Sequence, residues 1–221
     1  MKATSILAAA AVAASFGVIS AGAIADEKPI TLRFADTQSL MHPVSVEGAQ
    51  FFIKRVSELS GGRIKIQHFP AEQLGKSKDT LDVLARGGIT DISFVGPSWY
   101  PGKLPLATVG DLPGMYADAG AASKAVWNVI STTIYERELR KRGIRPLVAV
   151  LTPTYQILST RTLDDLEKLG GLKVRSPGGT FDNAAIALGA TPVSMPANES
   201  YEAMQKGVLA ATFANYVVAD G

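Results

Sequence analysis

Hydrophobic and polar positions along this chain repeat in two periods, and the switches between them outline an α/β fold. Over residues 31–35, Leu32 and Phe34 fall on one side and Thr31 and Arg33 on the other, the alternation of a strand. Val46, Ala49, Ile53, Val56 and Leu59 then recur at helical spacing, and Gly61-Gly62 marks where that helix stops. Ile64, Ile66 and His68 alternate with Lys65, Gln67 and Phe69 in a second predicted strand. Leu81, Leu84 and Ala85 define a helix that ends at Gly87-Gly88, and residues 91–95 form a short buried strand leading into Gly96-Pro97-Ser98-Trp99-Tyr100. Residues 101–114, rich in Pro and Gly, read as an ordered loop. A long helix over 119–141 turns Val126, Ile130 and Ile134 inward, and strands follow over 146–151 and 156–159.

Leu172 and Val174 next alternate with Lys173 and Arg175, a short strand that buries one face and ends in Ser176-Pro177-Gly178-Gly179. A helix over 180–188 follows. The last helix has Asn198 as its predicted N-cap and Gly207 as its C′ residue. Residues 208–218 are apolar and strand-like, then the sequence stops at Gly221 without a following element, so the chain reads as truncated.

The strand before Gly178-Gly179 carries the most informative side chain. Arg175 sits at a strand's carboxyl end beside a helix start, the edge of an open α/β sheet where ligands bind. A guanidinium there presents a planar fork of donors that fits a carboxylate. The spacing equally allows a surface arginine in an ordinary ion pair. Trp99 and Tyr100 follow a strand end and a Gly-Pro turn. With Tyr155 and Phe181 they can line an aromatic pocket around a carboxylate, or serve as ordinary packing. Asp36, in the loop after the first strand, is a further ligand-binding candidate, and His42 in the same loop can touch ligand, although a surface-loop histidine before Pro43 is the commoner case. His68 within its strand and Glu72 before Leu74-Gly75 read as structural.

The first residues predict export. Lys2 precedes an apolar run over 6–19, and Ala23-Ile24-Ala25 fits small-x-small cleavage, so residues 1–25 read as a signal peptide. A Cys count of 0 excludes lipidation at the cleavage site, disulfides and thiolate metal sites. The formal net charge is +2, with basic residues 137–142 interleaved with Glu136 and Glu138, which leaves nucleic acid without a footprint. No later apolar stretch is long enough to span a bilayer. Nucleophile elbow, P-loop and histidine metal spacing are all missing from the sequence, so no catalytic constellation, metal or cofactor is expected.

Several blocks in order carry a resemblance. They are Ser60-Gly61-Gly62-Arg63-Ile64-Lys65-Ile66 with Pro70-Ala71-Glu72-Gln73-Leu74-Gly75; Gly87-Gly88-Ile89-Thr90-Asp91; Gly171 to Gly179; and Leu188-Gly189-Ala190 through Met204-Gln205-Lys206-Gly207. Together, behind a signal peptide, they resemble the periplasmic solute-binding proteins of TRAP transporters. The resemblance implies two α/β domains, here 26–150 and an incomplete 151–221, joined by hinge strands around a ligand cleft. It implies that Arg175 pairs with the carboxylate of a small organic acid, and that a monomeric periplasmic protein hands this ligand to TRAP membrane permease subunits. Tyr155 stands where sialic-acid-binding relatives carry a second arginine, which points away from highly polar ligands. The chain departs from the family's pattern after Gly207, and the polar contact expected there falls on Ala214 or Asn215. Asn215 is favoured because its side chain hydrogen-bonds. The alternatives are a binding protein of an ATP-driven uptake system, which shares the architecture, and a secreted hydrolase, for which no nucleophile–base pair can be assembled.

Overall fold

Two sheets organise the chain in the computed structural model, which describes residues 28–216. The predicted signal segment and residues 217–221 lie outside the described residues.

The first sheet contains β1 (Ile30–Ala35), β2 (Ile64–Phe69) and β3 (Ile92–Ser93), in the order β2-β1-β3 and all parallel. Parallel neighbours need crossovers. One is α1 (Phe51–Leu59), entered through wide π-type turns over Ser45–Gln50, and the other is α2 (Thr80–Arg86). After β3 the chain makes a short turn at Pro97–Trp99 and a second at Ala107–Asp111. α3 (Ala119–Val129) begins where Asp118 Oδ1 accepts a hydrogen bond from Ala121 N at 2.6 Å, an N-cap. The helix predicted over 119–141 is continuous, but from Ile130 to Leu139 it widens into π-type turns before a tight final turn at Arg140–Arg142. Ile134 and Leu139 on that stretch pack with Leu81, Tyr100, Leu104 and Ala107 into one buried cluster. Glu138, on the same face, accepts from Leu106 N at 2.6 Å and Ala107 N at 3.1 Å. It satisfies the free amides of the turn that ends at Asp111 and fixes that turn against the helix.

The second sheet contains β4 (Gln156–Ser159) and β5 (Lys173–Ser176), then, after α4 (Thr180–Ala187), β6 (Thr191–Ser194), and after α5 (Ala197–Gln205), β7 (Ala211–Ala214). Its order is β4-β7-β5-β6, with β4 antiparallel to β7 and the other pairs parallel. Leu169, Val174, Phe181, Ala185, Ala190, Ala211 and Phe213 form its buried cluster. Full burial of a side chain such as Val174 or Phe181 is worth about 1.5–3 kcal/mol, so this sheet has a core of its own rather than borrowing the first one.

The structure corrects several sequence expectations. Residues 146–151 are not a strand: they pair with no strand among the described residues, and Leu147, Val148 and Val150 are 53%, 65% and 67% exposed. Apolar alternation marks a segment suited to a sheet, but only a partner's hydrogen bonds make it one. β5 lies between β7 and β6 and buries Val174, Arg175 and Ser176 alike, not one face only. Asn198 lies inside α5 rather than at its cap, which Pro196 occupies without a side-chain bond. The strand β6 was not anticipated; it carries Pro192, tolerated because β6 is at the sheet's edge.

Candidate functional site

The turn from β5 to α4 carries the site. Arg175, one residue before the end of β5, is 3% exposed. Its Nε donates to Met195 O and its Nη1 to Phe213 O, each at 2.9 Å. Met195 follows β6 and Phe213 lies in β7, so the guanidinium is anchored to both strands that flank its own. Both anchors are neutral carbonyls, and no ion pair joins Arg175 to a carboxylate among the described residues. The surface ion pair that the spacing allowed is therefore not what the structure shows. Burial pushes the Arg175 pKa down, and the nearby Tyr155 phenol acts in the opposite direction. Removing an ion from water costs several kcal/mol, which an opposite charge normally offsets. Nη2 and the second hydrogen of Nη1 remain for such a charge.

Aromatic rings wall this spot. The Tyr155 ring lies 4.6 Å from that of Phe181, centroid to centroid, and Phe181 lies 6.0 Å from Phe213. Phe181 belongs to the buried cluster, so it supports Tyr155 from beneath. Burial raises the Tyr155 pKa, Arg175 draws it down, and Asp111 and Tyr116 add to the rise. Asn215, just after β7, is 1% exposed and donates from Nδ2 to Thr152 Oγ1 at 2.7 Å. The Tyr116 hydroxyl donates to Thr152 O at 3.0 Å, so Thr152 joins the two.

The two turns after β3 meet the β5–α4 turn. Ser98 donates through N to Asp111 Oδ2 at 3.1 Å, and its hydroxyl donates to the same oxygen. The Ser98 carbonyl rests against Gly178 and Gly179, where an added Cβ would stand 3.1 Å from it. Both glycines have positive φ, 108° and 56°. The close approach and the backbone conformation each require glycine. Thr180 Oγ1 donates to Asp111 O at 3.3 Å, a further bond across the junction. Asp111 has its pKa raised by burial, with the two bonds from Ser98 opposing.

The remaining predicted residues lie elsewhere. Trp99 packs over Gly96, where a Cβ would fall 2.8 Å from the indole, and against Phe94 and Tyr100 at 5.9 and 6.5 Å. It is half-buried at the edge of the first cluster. The Tyr100 hydroxyl is inside that cluster, accepting from Leu81 N at 3.0 Å, paired with Thr80 Oγ1 at 2.9 Å and donating to Ser77 O. These bonds occupy the phenol within the core rather than beside Arg175. The Asp36 carboxylate takes Gln38 N at 2.9 Å, Ser45 Oγ at 2.8 Å and His68 Nε2 at 2.9 Å, and thereby organises the loop after β1. His42 Nδ1 accepts from Val44 N at 3.2 Å in the same loop. Ser98, Asp111, Tyr116, Thr152 and Phe213 were not among the sequence candidates. Asp111 lies in a loop without periodicity, and nothing local links it to Arg175 far along the chain.

A shallow depression of about 330 Å³ lined by Ile157, Arg161, Asp164 and Leu166, among others, is a weaker candidate. Arg175 does not line it. Asp164 and Asp165 outnumber Arg161 there, an unfavourable balance for an anion.

The profile of the bacterial extracellular solute-binding protein family 7 matches residues 34–219. The chain belongs to this family. Its relatives include the sialic acid-binding periplasmic protein of Vibrio cholerae, 26% identical over 192 residues, 86% of this chain and 60% of that protein. Among solved structures, a TRAP solute-binding protein of Rhodoferax ferrireducens in complex with copurified benzoate superposes with a TM-score of 0.78. It is 28% identical, and the match covers 86% of this chain and 59% of that one. A marine metagenome TRAP solute-binding protein specific for aromatic acid ligands, in complex with 3-hydroxybenzoate, gives 0.79 at 26% identity over the same shares. The expected TRAP solute-binding family and its α/β binding-protein fold are thus shown. The chain spans 57–62% of the length of curated relatives that it matches. No described helix is long and apolar enough to cross a membrane.

Proposed function

We propose that this chain carries the carboxylate-gripping part of a periplasmic protein that captures a small organic acid and delivers it to a TRAP-type permease, without catalysing a reaction on it. The observation that carries this reading is Arg175: a buried cation, oriented by two backbone carbonyls and paired with no anion among the described residues. A ligand carboxylate supplies the missing charge and accepts the remaining Nη hydrogens in parallel. Tyr155 and Phe181 beside it suit an acid with an aromatic or apolar body, and the benzoate and 3-hydroxybenzoate complexes of two relatives support that preference. The Ser98–Gly178–Gly179 contact and the Thr180–Asp111 bond join the first-sheet and second-sheet portions beside Arg175. Ligand contacts from both sides therefore favour the closed arrangement over an open one.

A thermal-shift screen tests the reading, because a ligand that binds only the folded protein raises its melting temperature. Organic acids are compared with their uncharged amides. The acids raise the melting temperature and the amides do not. Equal shifts from an acid and its amide, or turnover of a carboxylic ester, refute the reading.

A further inference from the structure

Asp111 is a second ionisable group at this site, without a charged partner among the described residues. Its Oδ2 accepts both Ser98 donors, while Oδ1 accepts no hydrogen bond from a described residue and is not sealed from solvent. A carboxylate has room for about four donors, so half of this one is uncommitted. No lysine or arginine pairs with it among the described residues.

Its placement is firm. Glu138 holds the start of the turn that ends at Asp111. Thr180, at the beginning of α4, binds the Asp111 carbonyl. Ser98, held by the Asp111 side chain, meets Gly178, only three residues beyond Arg175. Phe181, the residue after Thr180, carries the ring that meets Tyr155 at 4.6 Å. Among the described residues, an unpaired cation and a half-committed carboxyl group therefore both stand at the β5–α4 turn, beside the Tyr155–Phe181 pair. A simple monocarboxylate satisfies only the cation.

We propose that Asp111 is a specificity-determining residue: it accepts a hydrogen bond from a hydroxyl or ammonium group on the ligand body while Arg175 holds the carboxylate, so that the substrate class is hydroxy- or amino-substituted carboxylic acids. This rests on the carboxylate-capture reading above and narrows it. An acid lacking the donor leaves Oδ1 facing an apolar group when the two portions close, which is costly for a desolvated polar atom.

The experiment uses matched pairs of acids that differ by one donor: benzoate with 3-hydroxybenzoate and 3-(aminomethyl)benzoate, and phenylacetate with mandelate. Affinities are measured by calorimetry on the wild-type protein, Asp111→Asn and Arg175→Ala. Asn keeps an oxygen for the Ser98 donors and removes the charge. The wild type prefers the donor-bearing member of each pair, by at least about tenfold for the ammonium. Asp111→Asn abolishes that preference, so the donor-bearing acids lose more affinity than benzoate and phenylacetate do. Arg175→Ala weakens both members of a pair alike. A wild type that shows no preference within the pairs overturns the proposal without any variant. So does an Asp111→Asn variant that weakens all acids equally, which marks Asp111 as a support for Ser98 only. If instead Arg175→Ala binds all acids as the wild type does, the capture reading fails, while the pair preference and its loss in Asp111→Asn still decide the role of Asp111.

Discussion

Replacing Arg175 separates a ligand-binding arginine from one that merely fastens strands together. The side chain does fasten them: Nε and Nη1 bridge Met195 O after β6 and Phe213 O in β7 across the β5 between them. Arg175→Ala removes a donor from each carbonyl, at about 1–3 kcal/mol for a group left unsatisfied, although Phe213 O keeps the Thr212 hydroxyl at 3.3 Å. Against this, it removes a buried charge whose desolvation itself costs several kcal/mol. The opposing effects leave a modest net change in folding stability, about 0–2 kcal/mol by the balance of those ranges. Binding has no such compensation. A ligand carboxylate that loses its buried guanidinium typically forfeits ~2–5 kcal/mol. At about 1.4 kcal/mol per tenfold, that is a loss of roughly 30-fold or more in affinity. Arg175→Lys restores charge but not geometry, since one ammonium cannot serve two carbonyls and still present a planar fork to the ligand. It binds weakly too. The assay is calorimetric titration of the best acid from the thermal-shift screen into wild type, Ala and Lys variants, with melting curves recorded for each. An Ala variant that binds within about threefold of the wild type refutes the reasoning, since truncating a buried charge pair costs far more than that. So does a variant whose affinity falls only in proportion to unfolding.

Other consequences are equally open to test. Tyr100→Phe removes the hydroxyl shared by Ser77, Thr80 and Leu81, and it lowers stability by about 1–3 kcal/mol in denaturant melts while leaving acid affinity unchanged; a selective loss of binding instead moves Tyr100 into the site. Gly178→Ala places a Cβ against the Ser98 carbonyl in a backbone with φ of 108°, and it costs at least about 1–2 kcal/mol in stability and weakens acid binding through poorer closure, both readable by calorimetry. Glu72 is pushed up by burial, but bonds from Ser77 and Lys76 outweigh that and hold its carboxyl below the ordinary glutamate value. Its contribution is therefore present above the ordinary glutamate range and is lost as pH falls through the depressed folded value. Glu72→Gln destabilises at neutral pH by about 1–2 kcal/mol and flattens the acid limb of the stability–pH curve; an unchanged limb rejects the assignment.

The sequence by itself determined the order and type of most elements, because strand and helix periods are local properties of side-chain polarity. It placed Arg175 at a strand end before a glycine turn and Gly207 after the last helix, where φ is 71°. Tyr155 and Phe181 were also legible, being close in kind to what a small apolar pocket needs. Periodicity could not tell that residues 146–151 lack a partner strand, since pairing depends on distant backbone. Nor could it tell that β5 is central, or that Arg175 is buried along with Val174. Trp99, Tyr100 and Asp36 have the chemistry of ligand contacts, but burial and hydrogen bonding decide how each is used. Tyr100 and Asp36 commit theirs to the core and to a loop. Only the tertiary structure set Asp111 beside Ser98 and across from the β5–α4 turn, because that juxtaposition joins segments far apart in the chain. An isolated acid in an aperiodic loop carries no signal of which charge it will face. The fold supplies it by bringing two sheets together at one pair of glycines.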